Sequence, residues 1–323
     1  MSNPIRFGVL GGAQFALNHM ARAIHEAEGA EFTALATSSM AKAAPFQAFC
    51  PGLKVFTDYD AMLASDEIDA VYIPLPNHMH VEWSLKALAA GKHVLCEKPI
   101  AMKAAEIDAL IAKRDETGLL AAEAFMIVHH PQWARVKEML AAGEIGDLIR
   151  VDVAFSFDNP DLDNIRNKPG TGGGAMGDIG VYAIGSVRFA TGQEPEAITS
   201  ANITYENGVD VTSAFTARFA GFDYSAYVSM RMSPFQEARF HGRRGVITVK
   251  TPFNAGTYGS AEVQIRAANG VTRIETFPTV RQYVVQVENF VHSARDGADY
   301  PWSLENARGT QAVIDAVFDA DQG

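Results

Sequence analysis

Cysteine is nearly absent. Cys50 and Cys96 are the only two in 323 residues, too few for a disulfide framework and without zinc-site spacing, so a reducing, cytoplasmic setting is expected. Long apolar runs are also missing: none approaches the roughly 20 residues that cross a bilayer. The N-terminus enters a strand pattern by Ile5, with none of the charged, apolar and small-residue regions of a secretion signal. Positive charge is in deficit, 27 Lys and Arg against 38 Asp and Glu, for a net charge of −11. That balance argues against nucleic-acid and anionic-membrane partners. No internal repeat or low-complexity segment is found. What is present, 48% hydrophobic and 20% charged, is globular material at a length that suits two domains.

Up to Phe125 short apolar runs alternate with amphipathic ones, which predicts βαβ units and a parallel sheet. Ile5–Leu10, Phe32–Ala36, Ala70–Leu75, His93–Cys96 and Leu119–Ala124 read as strands. Ala16–Ala27, Val81–Leu88 and Ala104–Ala112 read as helices, with Gly29 and Gly91 placed to stop the first two. After Phe125 the pattern changes. A helix at Gln132–Ala142 precedes an extended run, Leu148–Phe157, then a loop rich in Asn, Asp, Pro and Gly, then a helix through Tyr182–Phe189. Between Ile198 and Ile265 strand-like runs follow one another without a long helix, which predicts an open, mainly antiparallel sheet. Helices at Tyr283–Ala294 and Leu304–Phe318 come last. The expected architecture is α/β, with a dinucleotide-binding Rossmann domain over 1–125 and a substrate-binding and oligomerisation domain over 126–323.

The segment Gly8–Ala16 joins the first strand to the first helix. A pyrophosphate there needs a tight turn, close backbone approach and free N–H groups at a helix start. Gly11 supplies the turn, and Ala13 and Ala16 stand where a strict G-x-G-x-x-G has its later glycines. Gly11, Ala13, Gln14, Phe15 and Ala16 are the cofactor-side residues of this loop; the plain alternative is an ordinary tight βα turn. At the end of the second strand, Thr37-Ser38-Ser39 with Lys42 replaces the carboxylate that would hold free ribose hydroxyls. Hydroxyls and a lysine suit a 2′-phosphate, so NADP is expected over NAD, although this stretch serves equally as a polar helix cap.

Four motifs occur in order: Pro74-Leu75-Pro76-Asn77 with His80, Gly91-Lys92-His93, Glu97-Lys98-Pro99, and Gly172–Ala175 followed by Asp178, Gly180 and Tyr182. With the N-terminal loop, they resemble the glucose–fructose oxidoreductase and inositol dehydrogenase family over essentially the whole chain. Glu123–Met126, His130-Pro131, Gly242–Gly245 and Pro252-Phe253 look like the branch holding dimeric dihydrodiol dehydrogenase and NADP-dependent D-xylose 1-dehydrogenase. Many members carry histidine where this chain has Tyr182, a departure that branch shares. The resemblance implies Lys98 as the active-site lysine, with Asp178 and Tyr182 on a substrate-lining helix. It also implies Leu75, Pro76, Asn77, His80 and Glu97 on the cofactor side, and homodimers or homotetramers through the second sheet.

A phenol has an unperturbed pKa of about 10, and a nearby ammonium favours phenolate. Lys98 therefore suits either lowering the pKa of Tyr182 or stabilising charge on the reacting oxygen. Tyr182 is the proton-transfer candidate, with Asp178, four residues earlier, on the same helix face as an orienting group. The competing readings are a solvated Glu97–Lys98 pair, a core tyrosine and Asp178 as a helix cap. Phe125, Phe155 and Phe253 are candidate apolar walls of a substrate pocket, and Arg166 and Asn167 candidate polar contacts, although aromatics at such positions are often core. His78, His80, His129 and His130 lack a cluster that would complete a metal site, so no metal is expected. The expected activity is hydride transfer between nicotinamide and a sugar, such as D-xylose or D-glucose, or a related cyclic alcohol. The alternatives are an NAD-dependent redox-neutral glycosidase and a non-catalytic cofactor-sensing regulator.

Overall fold

The computed structural model describes residues 3–321. In chain order the elements begin β1 Ile5–Leu10, α1 Ala21–Glu26, β2 Ala30–Ala36, α2 Met40–Phe49, β3 Lys54–Phe56, α3 Tyr59–Leu63, β4 Ala70–Ile73, α4 His80–Ala89, β5 His93–Cys96, α5 Ala104–Thr117 and β6 Ala121–Glu123. They continue with α6 Pro131–Ala141, β7 Leu148–Asp158, α7 Val181–Thr191, β8 Pro195–Glu206, β9 Val209–Phe219, β10 Phe222–Ser229, β11 Arg231–Gly242, β12 Gly245–Val249, β13 Glu262–Ala267, β14 Thr272–Thr276, α8 Gln282–Asp296 and α9 Leu304–Asp321. The chain divides into two compact units, residues 1–129 with 281–308, and residues 130–280 with 309–323.

In the first unit six parallel strands lie in the order β3-β2-β1-β4-β5-β6. A sheet covered on both faces demands nearly continuous apolar strands, and Ala70–Ile73 is buried at every position. Phe7 and Val9 of β1 face one core with Met20, Ile24, Phe32, Val287 and Phe290. Leu10 faces the other, with Met62, Val71, Trp83, Val94, Leu110 and Leu304. The order reverses between β1 and β4, and in such sheets ligands bind outside the carboxyl ends of the strands at that point. The loops after β1, β4 and β5, which carry the expected motifs, leave from those ends.

In the second unit eight strands lie in the order β14-β13-β12-β11-β7-β10-β9-β8, antiparallel except for the β7–β10 pair. Burial alternates along β9 and β10, as expected of a sheet packed on one face only. The packed face receives α7, tied down by Tyr224, whose hydroxyl donates to the Ala183 carbonyl at 2.8 Å. Buried Arg188 of α7 binds Glu194 through Nε at 2.6 Å and Thr310 through Nη1 at 2.6 Å. The opposite face leaves Tyr227 and Phe235 exposed.

Candidate active site

The dinucleotide loop is shaped by Gly11. Its φ of +102° lies where side-chain-bearing residues are strained, and a Cβ there would crowd Leu75 Cδ2 at 3.0 Å. Its N–H donates to the Ala36 carbonyl at 2.8 Å, which pins the loop to the end of β2. A Cβ on Gly12 would meet Lys42 at 3.0 Å and the Thr37 hydroxyl at 3.3 Å, so the segments after β1, β2 and β4 converge here. Gln14 bonds Asn18 at 2.9 Å, Ala16 is buried, and Ala13 accepts from the Leu17 N–H. Phe15 is partly exposed and packs edge-on against Tyr283 at 5.8 Å. Thr37 is buried while Ser38 is exposed. Ser39, at the N-cap of α2, makes no side-chain cap hydrogen bond, so capping does not consume its hydroxyl, while the Thr37 hydroxyl accepts from the Ser39 N–H at 3.4 Å. The cradle and its polar rim fit a dinucleotide carrying a 2′-phosphate.

After β4, Leu75 is buried and Pro76 and Asn77 are partly so. The fully buried His80 ring lies 2.7 Å from two backbone carbonyls, Pro99 on Nδ1 and Leu75 on Nε2. Burial pushes its pKa down to about 4 while the two carbonyls pull the other way. His80 thus ties the loop after β4 to the loop after β5.

At the end of β5 the Glu97 N–H donates to the Ile73 carbonyl. The Tyr72 hydroxyl donates to Glu97 Oε1 at 2.6 Å, and the Lys98 N–H to Oε2 at 3.3 Å. Burial raises the Glu97 carboxyl, with the Lys98 charge opposing, and burial also raises the Tyr72 phenol. Glu97 is therefore an internal hydrogen-bond acceptor, which removes the solvated surface pair as an account of Glu97-Lys98. Lys98 itself is half-buried, and the Lys98–Pro99 bond is cis. A residue outside the expected set supports this turn: Glu123 of β6, 2% exposed, accepts from the Ile100 N–H and from Trp302 Nε1, both at 3.0 Å.

In the second unit the helix carrying Asp178 and Tyr182 begins with a π turn, Met176–Gly180, and runs on into α7; such turns recur at functional sites. Arg166 Nε donates to Asp178 Oδ2 at 2.6 Å. Asp178 is not the helix cap. That role falls to Asp210 of β9, whose Oδ2 accepts from the Met176 N–H at 2.7 Å. Asn167 directs its amide into the loop, donating to Asn159 and Asp161 carbonyls and accepting from Arg231. Three expected aromatics meet here: Phe155 and Phe253 at 5.1 Å, Tyr182 and Phe253 at 5.5 Å, Phe155 and Tyr182 at 5.8 Å. Within the first unit Phe125 packs on Trp302 at 4.6 Å. His130 accepts from the Gln132 N–H as the cap of α6, and burial drives the pKa of His129 down to about 3. Among the described residues no three His, Cys, Asp or Glu are grouped to hold a metal ion.

Residues 5–125 match the GFO_IDH_MocA profile, an oxidoreductase family with an NAD-binding Rossmann fold, and residues 133–248 match the GFO/IDH/MocA C-terminal domain. The chain belongs to this family. It is 36% identical to an oxidoreductase of Rhizobium meliloti, over 97% of this chain and 96% of that one. It is 31% identical to the NADP-dependent D-xylose 1-dehydrogenase 2 of Haloferax volcanii, over 97% and 96%. Among solved structures it is similar to the 3-ketoreductase KijD10 of Actinomadura kijaniata in complex with NADP and TDP-benzene. That likeness has a TM-score of 0.91 and 30% identity over 98% of both chains. KijD10 also has crystal structures with one lysine replaced by alanine and with one tyrosine replaced by phenylalanine. Membership makes this chain an NAD(P)-dependent oxidoreductase.

Proposed function

We propose that the chain is an NADP-dependent dehydrogenase or reductase of a sugar or related cyclic alcohol. Residues 1–125 bind the cofactor and residues 126–323 supply the substrate side. The observation that carries this reading is the state of the Glu97-Lys98 turn. It stands at the carboxyl end of β5, at the sheet edge used by dinucleotides, with Glu97 held internally by Tyr72. Support also comes from KijD10, whose replaced lysine and tyrosine are separated by the same number of residues as Lys98 and Tyr182.

Gly11, Ala13, Gln14, Phe15 and Ala16 would hold the pyrophosphate side, Thr37, Ser38 and Ser39 the 2′-phosphate, and Leu75, Pro76, Asn77 and Glu97 the nicotinamide side. When bound, the nicotinamide supplies the hydride acceptor or donor. Tyr182 moves the hydroxyl proton, and the Lys98 ammonium stabilises negative charge on the reacting oxygen. Asp178, ion-paired with Arg166, is an acceptor fixed in direction and orients a substrate hydroxyl. Phe155 and Phe253 hold the Tyr182 ring from its sides. We also propose a homodimer or homotetramer through the exposed face of the second sheet. A monomer by light scattering across micromolar concentrations would remove that part.

The test is absorbance at the reduced-nicotinamide band with NADP or NAD and a panel of aldoses, inositols, cyclic diols and dTDP-linked keto sugars. NADP-dependent turnover of D-xylose or D-glucose is expected. Tight NADP binding with silence across the panel would overturn the sugar-dehydrogenase reading in favour of redox-neutral or sensing use of the cofactor.

A further inference from the structure

The second sheet contains one acid that its alternation does not explain. In Val209-Asp210-Val211 all three residues are buried, and Asp210 is only 5% exposed. A buried carboxylate persists where hydrogen bonds compensate it, and here they come from a helix start. Asp210 Oδ2 accepts from the Met176 N–H at 2.7 Å and from the Ser213 hydroxyl at 3.2 Å, and the Ala175 N–H also bonds the carboxylate. Those two amides are among the first N–H groups of the helix, which have no partner within it, and the helix N-terminus favours negative charge. On the other side Gly174, with φ of +130°, leaves no room for a Cβ, because Asp210 Oδ1 occupies that space. Gly174 also accepts from the Asp178 N–H at 3.2 Å. Asp210 therefore grips the turn that sets where Asp178 points.

We propose that Asp210 is a positioning residue, whose ionised carboxylate locks the first turn of the helix carrying Asp178 and Tyr182 and releases it on protonation. This rests on the reading of that helix as the substrate side. Burial pushes the Asp210 pKa up to about 6, with its hydrogen bonds to Met176, Ser213, Ala175 and its own amide opposing. Burial and these hydrogen bonds lead that balance, and the Asp210 charge in turn helps raise the Tyr205 phenol on β8, after burial and Asp321. Charge-assisted hydrogen bonds are roughly twice as strong as neutral ones, so protonation loosens the turn. Overall stability moves the other way. The folded chain holds this proton more tightly than an unfolded one, whose aspartate titrates near 3.9, so Asp210 adds stability as pH falls from about 6 toward 4. A cap with a merely structural role would move helix and fold together.

The experiment is amide hydrogen exchange of residues 175–179 in the full chain at pH 7.5 and 5.0, corrected for intrinsic rates, with global unfolding measured alongside. Wild-type protection is expected to fall about tenfold at pH 5.0, the size of a weakened bond to a charged group, without loss of global stability. Asp210→Asn should show low protection at both values. Equal protection in wild type and variant, or equal protection at both pH values in wild type, overturns the proposal. If Asp210→Asn does not fold, Ser213→Ala decides: losing that donor should raise the pH midpoint of the exchange change, and an unmoved midpoint is the contrary result. For D-xylose oxidation with NADP, the wild-type kcat should carry an acid limb near pH 6 that Asp210→Asn lacks, and a retained limb counts against Asp210. Absence of turnover on D-xylose would bear on the proposed substrate, while the exchange result would still judge Asp210.

Discussion

Replacing Lys98 with methionine keeps most of the apolar stem and deletes the ammonium. If that charge stabilises the reacting oxygen, kcat should drop by about a hundred- to a thousand-fold, while the NADP dissociation constant by fluorescence titration stays within about twofold. Unchanged kcat would remove Lys98 from the chemistry. Tyr182→Phe is the cleaner probe of proton transfer. It preserves the ring contacts with Phe155 and Phe253 and removes only the hydroxyl. A fall of about a hundred- to ten-thousand-fold in kcat is expected, and full activity would leave the proton to Asp178 or water. At this scale the sequence offered candidate residues but not their partners. Asp178 as cap and Asp178 as orienting group were indistinguishable, because the true cap, Asp210, lies on a later strand. A lone acid between Val209 and Val211 was the one available signal.

Elements show where local pattern suffices. The strands β1, β2, β4 and β5 were legible because burial on both faces writes short continuous apolar runs. The stretch between Thr37 and Ile68 was not. There β3 has three residues, α3 five, and α2 contains Pro45 in its interior, so none carries enough turns for a period to emerge. The junction between β6 and the turn after β5 is a further long-range feature. In the sequence Glu123 stands out only as part of a motif, although a single carboxylate between Ala121-Ala122 and Ala124-Phe125 marks a buried acceptor. Removing it should be felt in two places. Glu123→Ala strands the buried Ile100 N–H and the Trp302 indole N–H, each costing about 1–3 kcal/mol. Thermal unfolding should fall accordingly, and kcat with it if the Lys98 turn depends on this anchor. An unchanged Tm would show that water replaces the carboxylate.

For the whole molecule, two long-range ion pairs bind α5 to the start of α9: Arg114 with Glu305 and Arg308 with Asp108. The hydrogen bond from Arg114 holds Glu305 down to about 2, against about 4.3 in an unfolded chain. A depressed carboxylate contributes its stability above the unfolded value and loses it as pH falls through the folded one. The Tm advantage of wild type over Glu305→Gln should therefore be present at pH 7 and shrink between about pH 4 and pH 2. A constant difference across that range would assign the effect to packing. Half-exposed Glu305 is screened by solvent, so the effect is expected to be small. The fold class was legible from the change of pattern near Phe125. The return of residues 281–308 to the first unit was not, since an amphipathic helix does not say which surface it covers.

That return bears on how the protein is made. Phe290 of α8 sits 5.5 Å from Phe7 of β1, and Val287 and Val291 join the same core. The helix that seals the first strand is thus translated only after every strand of the second sheet has been translated. Until then the nascent N-terminal half carries an open apolar face, the kind of surface that recruits chaperones or aggregates. Completion of the core in the dinucleotide-binding half thereby waits on a helix that follows the other half in the chain.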